Sequence, residues 1–145
     1  MDLFLDTNVL IDACEPSAPF HAWASALLID AVPAGRVVTN VVVIAELCVG
    51  DTQPERVADR VRGFGVEVLD LPAAVAPFAA KAFAAYRKRR LAAGVPARVT
   101  TPLPDFFIGA HALVLGLPLA TADTRRFATC FPRLRLVTPP SGRRA

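Results

Sequence analysis

Histidine and cysteine are scarce in this chain of 145 residues, with two of the first and three of the second. Cys14, Cys48 and Cys130 are odd in number, widely spaced and set among apolar residues. That pattern excludes a disulfide framework and zinc-ligand spacing, and it predicts small core side chains in a reducing cytosol. The two histidines, His21 and His111, are too few to build a nitrogen-ligated metal centre. His111 reads as a satisfied structural residue, and His21 as a surface one. Serines stand only at positions 17, 25 and 141, none in a GxSxG elbow, and no Walker motif is present. Serine-nucleophile and P-loop chemistry are therefore out. Uninterrupted apolar runs all fall short of the roughly 18 residues a membrane span needs. The opening DLFLDTN lacks the basic region of a secretory leader, so a cytoplasmic, membrane-free protein is expected.

Each half also lacks charge of one sign. Residues 1–80 carry 4 Lys/Arg against 11 Asp/Glu, and residues 81–145 carry 12 against 2, giving −7 and +10 formal charges. A basic half suits a polyanionic partner, because cations that neutralise phosphates release condensed counterions. It also suits a solvated helix face and a charged tail. The run Arg87-Lys88-Arg89-Arg90 closes a helix, where the dipole favours positive charge, so a helix-end role comes first and a contact to a polyanion second.

A hydrophobic fraction of 54% excludes disorder and provides one well-buried core. Residues 1–138 read as a single domain and 139–145 as a basic tail. Short buried strands are expected at 1–5, 36–39, 66–71, 118–122 and 134–139. Helices are expected between them, at VLIDAC, from Pro19 to about Pro33, from Asn40 through VVVIAELCVG, after Pro54, from Pro72 to Gly94, at DFFIGAHALVLG and at DTRRFATCF. VPARVTTPLP reads as a loop. This alternation predicts a parallel sheet covered on both faces, a three-layer α/β/α fold with five strands. Ligands in such folds sit beyond the carboxyl ends of the strands.

Against this background four carboxylates stand out: Asp6 in LFLDTNVLID, Glu46 in VVVIAELCVG, Asp105 in PLPDFFIGAHA and Asp123 in LATADTRRF. Asp6 and Asp123 directly follow expected strands. Taken singly, Asp6, Asp105 and Asp123 each have an ordinary role open to them as caps or first-turn acids. Glu46 is harder to place that way. Its helical neighbours Val42, Val43, Val49 and Gly50 are apolar, and an unpaired buried carboxylate costs several kcal/mol. A cation shared by the four resolves that cost. Oxygen-only ligands point to Mg²⁺ or Mn²⁺, and four carboxylates suffice for in-line phosphodiester displacement with one or two ions. Carboxylates crowded without metal should raise at least one pKa. Arg125 and Arg126, directly after Asp123, are candidate phosphate contacts, with a solvated helix turn as the alternative. Trp23, with Leu27 at i+4, reads as core or dimer contact, and the alanine-rich stretch PAAVAPFAAKAFAAY allows close packing against a partner.

DTNVLID, AEL, PDFFIGAHA and LATADTRRF, in this order and spacing, resemble the PIN-domain ribonucleases, and among them the VapC-type toxins of VapBC toxin–antitoxin pairs. The resemblance runs from Leu3 to about Val137. It implies a five-stranded parallel sheet between helices and Mg²⁺-dependent endoribonuclease activity. It maps the catalytic quartet onto Asp6, Glu46, Asp105 and Asp123, with Asp6 and Asp105 as main metal ligands. Thr7, Asn8 and Thr121 would orient carboxylates or hold water. The resemblance further implies a homodimer and an antitoxin that blocks the site. The alternatives are a non-catalytic nucleic-acid-binding module with the same fold and a metal phosphatase acting on small esters.

Overall fold

The computed structural model describes residues 1–95 and 103–140. Five strands form one parallel sheet: β1 (Leu3–Leu5), β2 (Val37–Asn40), β3 (Glu67–Leu69), β4 (Leu119–Ala120) and β5 (Leu136–Val137). Their spatial order is β3-β2-β1-β4-β5. β1 pairs with β2 through Leu3–Val37 and Phe4–Val38, and with β4 through Phe4–Leu119 and Leu5–Ala120. The central strand LFL is wholly buried, as a short apolar run covered on both faces must be.

Among the described residues seven α-helices connect the strands: α1 (Thr7–Cys14), α2 (His21–Ala34), α3 (Val41–Cys48), α4 (Val57–Gly63), α5 (Ala76–Ala92), α6 (Pro104–Leu115) and α7 (Thr124–Cys130). Short 3-10 turns lead into α4 and α5. From β1 the chain steps outward through β2 to β3, then crosses back to β4 on the other side of β1 and on to β5. Right-handed crossovers in opposite directions place α1–α4 and α5–α7 on opposite faces of the sheet, which gives the three-layer arrangement. β1 and β4 are the neighbouring strands between which the winding reverses. In sheets of this kind ligands bind beyond the carboxyl ends of such a pair.

The order and type of the elements agree with the sequence reading, and the differences lie in the termini. α1 begins at Thr7 because Asp6 is its N-cap, accepting from the Thr7 amide at 2.7 Å. α6 begins at Pro104, whose missing N–H costs nothing in a first turn. Asn40 ends β2 and caps α3, its Oδ1 accepting from the amides of Val42 and Val43. Most of the VPARVTTPLP loop and the SGRRA tail lie outside the described residues. Among the described residues no helix is long and apolar enough to cross a membrane.

Cys48 and Cys130 are half-buried and pack against the core, whereas Cys14 is exposed, so the expectation of core cysteines fails for Cys14 and holds only in part for the other two. Local apolar neighbours made them look internal, but each lies at the last residue of its helix, where the chain turns outward. His21 is half-buried, its Nδ1 within 2.8 Å of the Asp12 carbonyl. His111 is buried edge-on against Phe4, and the Asn40 amide lies 3.1 Å from its Nδ1. Burial pushes its imidazole pKa down, as suits a neutral ring accepting at Nδ1.

Candidate active site

Asp6 occupies the first position after β1, and Thr121 the first after β4. The pairing of those two strands brings them together. The Asp6 amide extends the ladder by donating to the Ala120 carbonyl at 3.0 Å. The Asp6 side chain, 3% exposed, is held by three further groups. Its Oδ2 accepts from Thr121 Oγ1 at 2.7 Å and from Asn8 Nδ2 at 2.9 Å, and its Oδ1 accepts from the Thr7 amide. Asn8 in turn accepts from the Ala122 amide through Oδ1 at 3.0 Å, and Thr121 Oγ1 accepts from the Asp123 amide at 3.0 Å. Thr7, Asn8 and Thr121 thus form one connected frame around Asp6. Oδ1 takes a single donor among the described residues, which leaves it a free lone pair.

The Asp6 pKa is raised to about 6. Burial is the main cause, opposed by the hydrogen bonds from Thr121 and Thr7, and the charges of Asp105 and Glu46 raise it further. One carboxylate of the quartet therefore does move upward, chiefly by loss of solvent and only secondarily by crowding.

Glu46 on α3 is half-buried rather than enclosed in an apolar face, and its Oε1 accepts from Thr7 Oγ1 at 2.7 Å. Reading neighbours along its own helix could not find this partner, which comes from α1. Asp105, in the first turn of α6, is half-buried and ion-paired with the Arg126 guanidinium. Asp123 is exposed and caps α7, accepting weakly from the Arg126 amide at 3.4 Å. Its Oδ2 lies 4.0 Å from Arg126 Nε. Arg126 thus engages Asp105 and approaches Asp123, whereas the sequence reading had it free to contact phosphate. Arg125 is exposed, with no side-chain hydrogen bond among the described residues.

Among the described residues, no three His, Cys, Asp or Glu side chains stand close enough together to hold a metal ion as they are. The donor set still fits a hard divalent cation. It consists of oxygen ligands alone, with a buried carboxylate at its centre, two more acids close enough to perturb it, and a cationic guanidinium already between Asp105 and Asp123. The sequence reading missed that guanidinium bridge. It also ranked Arg89 and Arg90 as helix-end residues, although both line a cavity with Asp123, Arg125 and Arg126. The signal was Tyr86, Arg89 and Arg90 at i, i+3 and i+4 on one face of α5.

A parallel α/β fold with an acidic cluster at its switch point defines the class to which this chain belongs. The family model of the PIN domain matches residues 3–131, and the chain is a member of the PIN domain family. No curated protein matches it significantly. Among solved structures it is similar to a chain of the VapBC2 complex of Rickettsia felis, bound to a DNA fragment from its promoter. There the identity is 20%, with 97% of this chain and 100% of that chain covered and a TM-score of 0.66. VapBC-1 of nontypeable Haemophilus influenzae is 23% identical, covering 95% and 98%, with a TM-score of 0.66. The VapC20 toxin of Mycobacterium tuberculosis, which cleaves the sarcin–ricin loop, is 17% identical, covering 94% and 99%, with a TM-score of 0.65. At such identities the likeness establishes the fold, which is that of the VapC toxins.

Proposed function

We propose that this chain is a Mg²⁺-dependent endoribonuclease, the toxin of a type II toxin–antitoxin pair held inactive by its cognate antitoxin in the cytoplasm. The observation that carries this reading is Asp6: a buried, framed carboxylate at the switch point, with its pKa raised to about 6 by burial and by Asp105 and Glu46. Asp6, Glu46, Asp105 and Asp123 form the catalytic quartet, and Asp6 and Asp105 are the main metal ligands. Mn²⁺ is an acceptable substitute, since it takes the same oxygen donors. A divalent cation held by Asp6 and Asp105 would lower the pKa of a water for in-line attack on RNA phosphorus and would offset charge on the leaving oxygen.

The remaining work falls to the chain. Thr121 and Asn8 fix the Asp6 carboxylate, so that its free Oδ1 lone pair needs no reorganisation to act. Thr7 links Glu46 to the same frame. Arg126 pairs with Asp105, and a cation held by Asp6 and Asp105 would compete for that carboxylate and leave the guanidinium, with Arg125, to the substrate phosphates.

The antitoxin reading has support from a groove of about 410 Å³ between α1, α3 and α4. Its lining is mainly apolar, including Leu10, Ile11, Leu47, Val57 and Phe64, and Ile11 and Phe64 are about half exposed. An amphipathic partner helix suits such a surface. Solved VapBC neighbours are complexes of toxin and antitoxin, and a homodimer of this chain is part of the same proposal.

Cleavage of labelled total RNA tests the proposal, run with Mg²⁺ or Mn²⁺, with EDTA, and with Asp6→Asn in parallel. Discrete products requiring both metal and Asp6 are expected. RNA that is bound in EDTA yet never cut would instead indicate a binding module. Activity confined to a chromogenic phosphomonoester would indicate a phosphatase.

A further inference from the structure

Beside the acidic site, the last turns of α5 and the helix α7 enclose a cavity of about 590 Å³. Four arginines line it: Arg89 and Arg90 from α5, Arg125 and Arg126 from α7. Its one carboxylate among the described residues is Asp123. Arg126 is committed to Asp105 and lies near Asp123. The other three have no carboxylate partner among the described residues. The side chain of Arg89 reaches only Cys130 Sγ, at 3.7 Å. Arg90 lies over the Tyr86 ring, 5.5 Å from its centroid, and that ring is itself packed against Phe83 and Phe106. Arg125 makes no side-chain hydrogen bond to any described residue.

Helix-end electrostatics account for part of this arrangement and fail for the rest. Arg89 and Arg90 stand in the last turn of α5, where the helix dipole favours cations. Arg125 and Arg126 stand in the first turn of α7, where the same dipole opposes them. Two helices from distant parts of the chain therefore aim guanidinium groups into one concave space that holds a single acid. Four guanidinium groups gathered there give a positive potential that favours uptake of an anion. Metal ions and apolar ligands do not suit the lining, whereas phosphate suits the arginine fork.

We infer that this cavity seats a backbone phosphate of single-stranded RNA next to the scissile one. Asp123 and Arg126 belong to both the cavity and the acidic site, so a strand held at one runs into the other. The inference rests on the nuclease reading of the acidic site, which supplies the strand. Arg90, braced on Tyr86, gives the seat a fixed wall, and Arg89 and Arg125 close on the phosphate from either side.

The test is fluorescence anisotropy of a labelled single-stranded oligoribonucleotide over a series of salt concentrations. Asp6→Asn serves as the background, so that the probe stays intact. Adding Arg89→Gln and Arg125→Gln, one from each helix, should weaken binding about tenfold. It should also reduce the slope of log K against log salt by about 1.4, since each phosphate contact on single strands contributes about 0.7. The control pair Arg36→Gln and Arg62→Gln removes two exposed ion-paired arginines elsewhere and should change neither quantity. Unchanged affinity and slope in the first pair, or an equal loss in the control pair, overturns the inference. A third arm uses inorganic phosphate as competitor, and abolition of the arginine-dependent part at concentrations comparable to RNA phosphate would mark a free-anion site and overturn the strand assignment. Failure of the nuclease reading looks different. Arginine-dependent binding with no metal-dependent cleavage by the wild type removes that reading alone, whereas Asp6-dependent cleavage with arginine-independent binding removes the cavity alone.

Discussion

Asp6 carries two roles that compete on most proteins' surfaces and coincide here. As the N-cap of α1 it satisfies an orphan amide, and as a buried acid at the sheet edge it holds negative charge where a cation is wanted. Its raised pKa has a consequence for stability in the metal-free protein. The folded state binds the Asp6 proton more tightly than the unfolded chain, with a pKa of about 6 against an ordinary 3.8. The stabilisation by that proton is fully present below the ordinary value and is lost as pH rises through about 6. A rise of that size is worth about 3 kcal/mol. Urea denaturation of metal-free wild type and Asp6→Asn should therefore give stabilities whose difference changes by about that amount between about pH 2.5 and about pH 7.5, with the wild type losing ground as pH rises. Parallel curves would mean that Asp6 titrates normally.

Between elements, close approach depends on what is absent from a side chain. Gly109 of α6 faces the Phe131 ring just beyond α7, and a Cβ there would lie 2.5 Å from Phe131 Cε2. Phe131 is buried and belongs to the aromatic cluster of Phe83, Phe106 and Phe127, so it has little room to move. Gly109→Ala should destabilise the protein by about 1–3 kcal/mol through overpacking. Because α6 carries Asp105 and the segment next to Phe131 carries Arg126, the same change should loosen that ion pair. Thermal unfolding measures the first effect, and a wild-type melting temperature in Gly109→Ala would contradict the packing argument. Glu46 illustrates the same dependence between elements. Its hydrogen bond to Thr7 exists only because α1 and α3 pack together on one face of the sheet.

At the scale of the whole molecule, acidic and basic surfaces divide the labour. The acidic site lies at the switch point, the arginine cavity flanks it, and the apolar groove between α1, α3 and α4 provides a third surface. Phe64 is a large exposed apolar side chain in that groove. Phe64→Lys should weaken binding of the cognate antitoxin by at least tenfold, in the range of an aromatic hot spot. Stability should change by only about 1 kcal/mol, because about half of the ring is already exposed in the free protein. Titration calorimetry against the antitoxin provides the measurement, and undiminished affinity would remove the groove from the interface.

The sequence by itself determined the alternation of buried strands and helices, hence the layered parallel sheet, because those features depend on local apolar runs and turn residues. It also singled out Asp6, Glu46, Asp105 and Asp123, since carboxylates in apolar surroundings are conspicuous in one dimension. It could not decide whether Glu46 had a polar partner, because Thr7 approaches from another helix, and it misplaced Cys14 because apolar neighbours in sequence do not enforce burial at a helix end. Only the tertiary structure decided that Arg126 is held by Asp105, and that arginines from α5 and α7 converge on one cavity. Both depend on how distant segments are brought together. Strand order set that geometry: pairing β1 with β4 placed Asp6 beside Thr121, a contact between residues more than a hundred positions apart that no local pattern encodes.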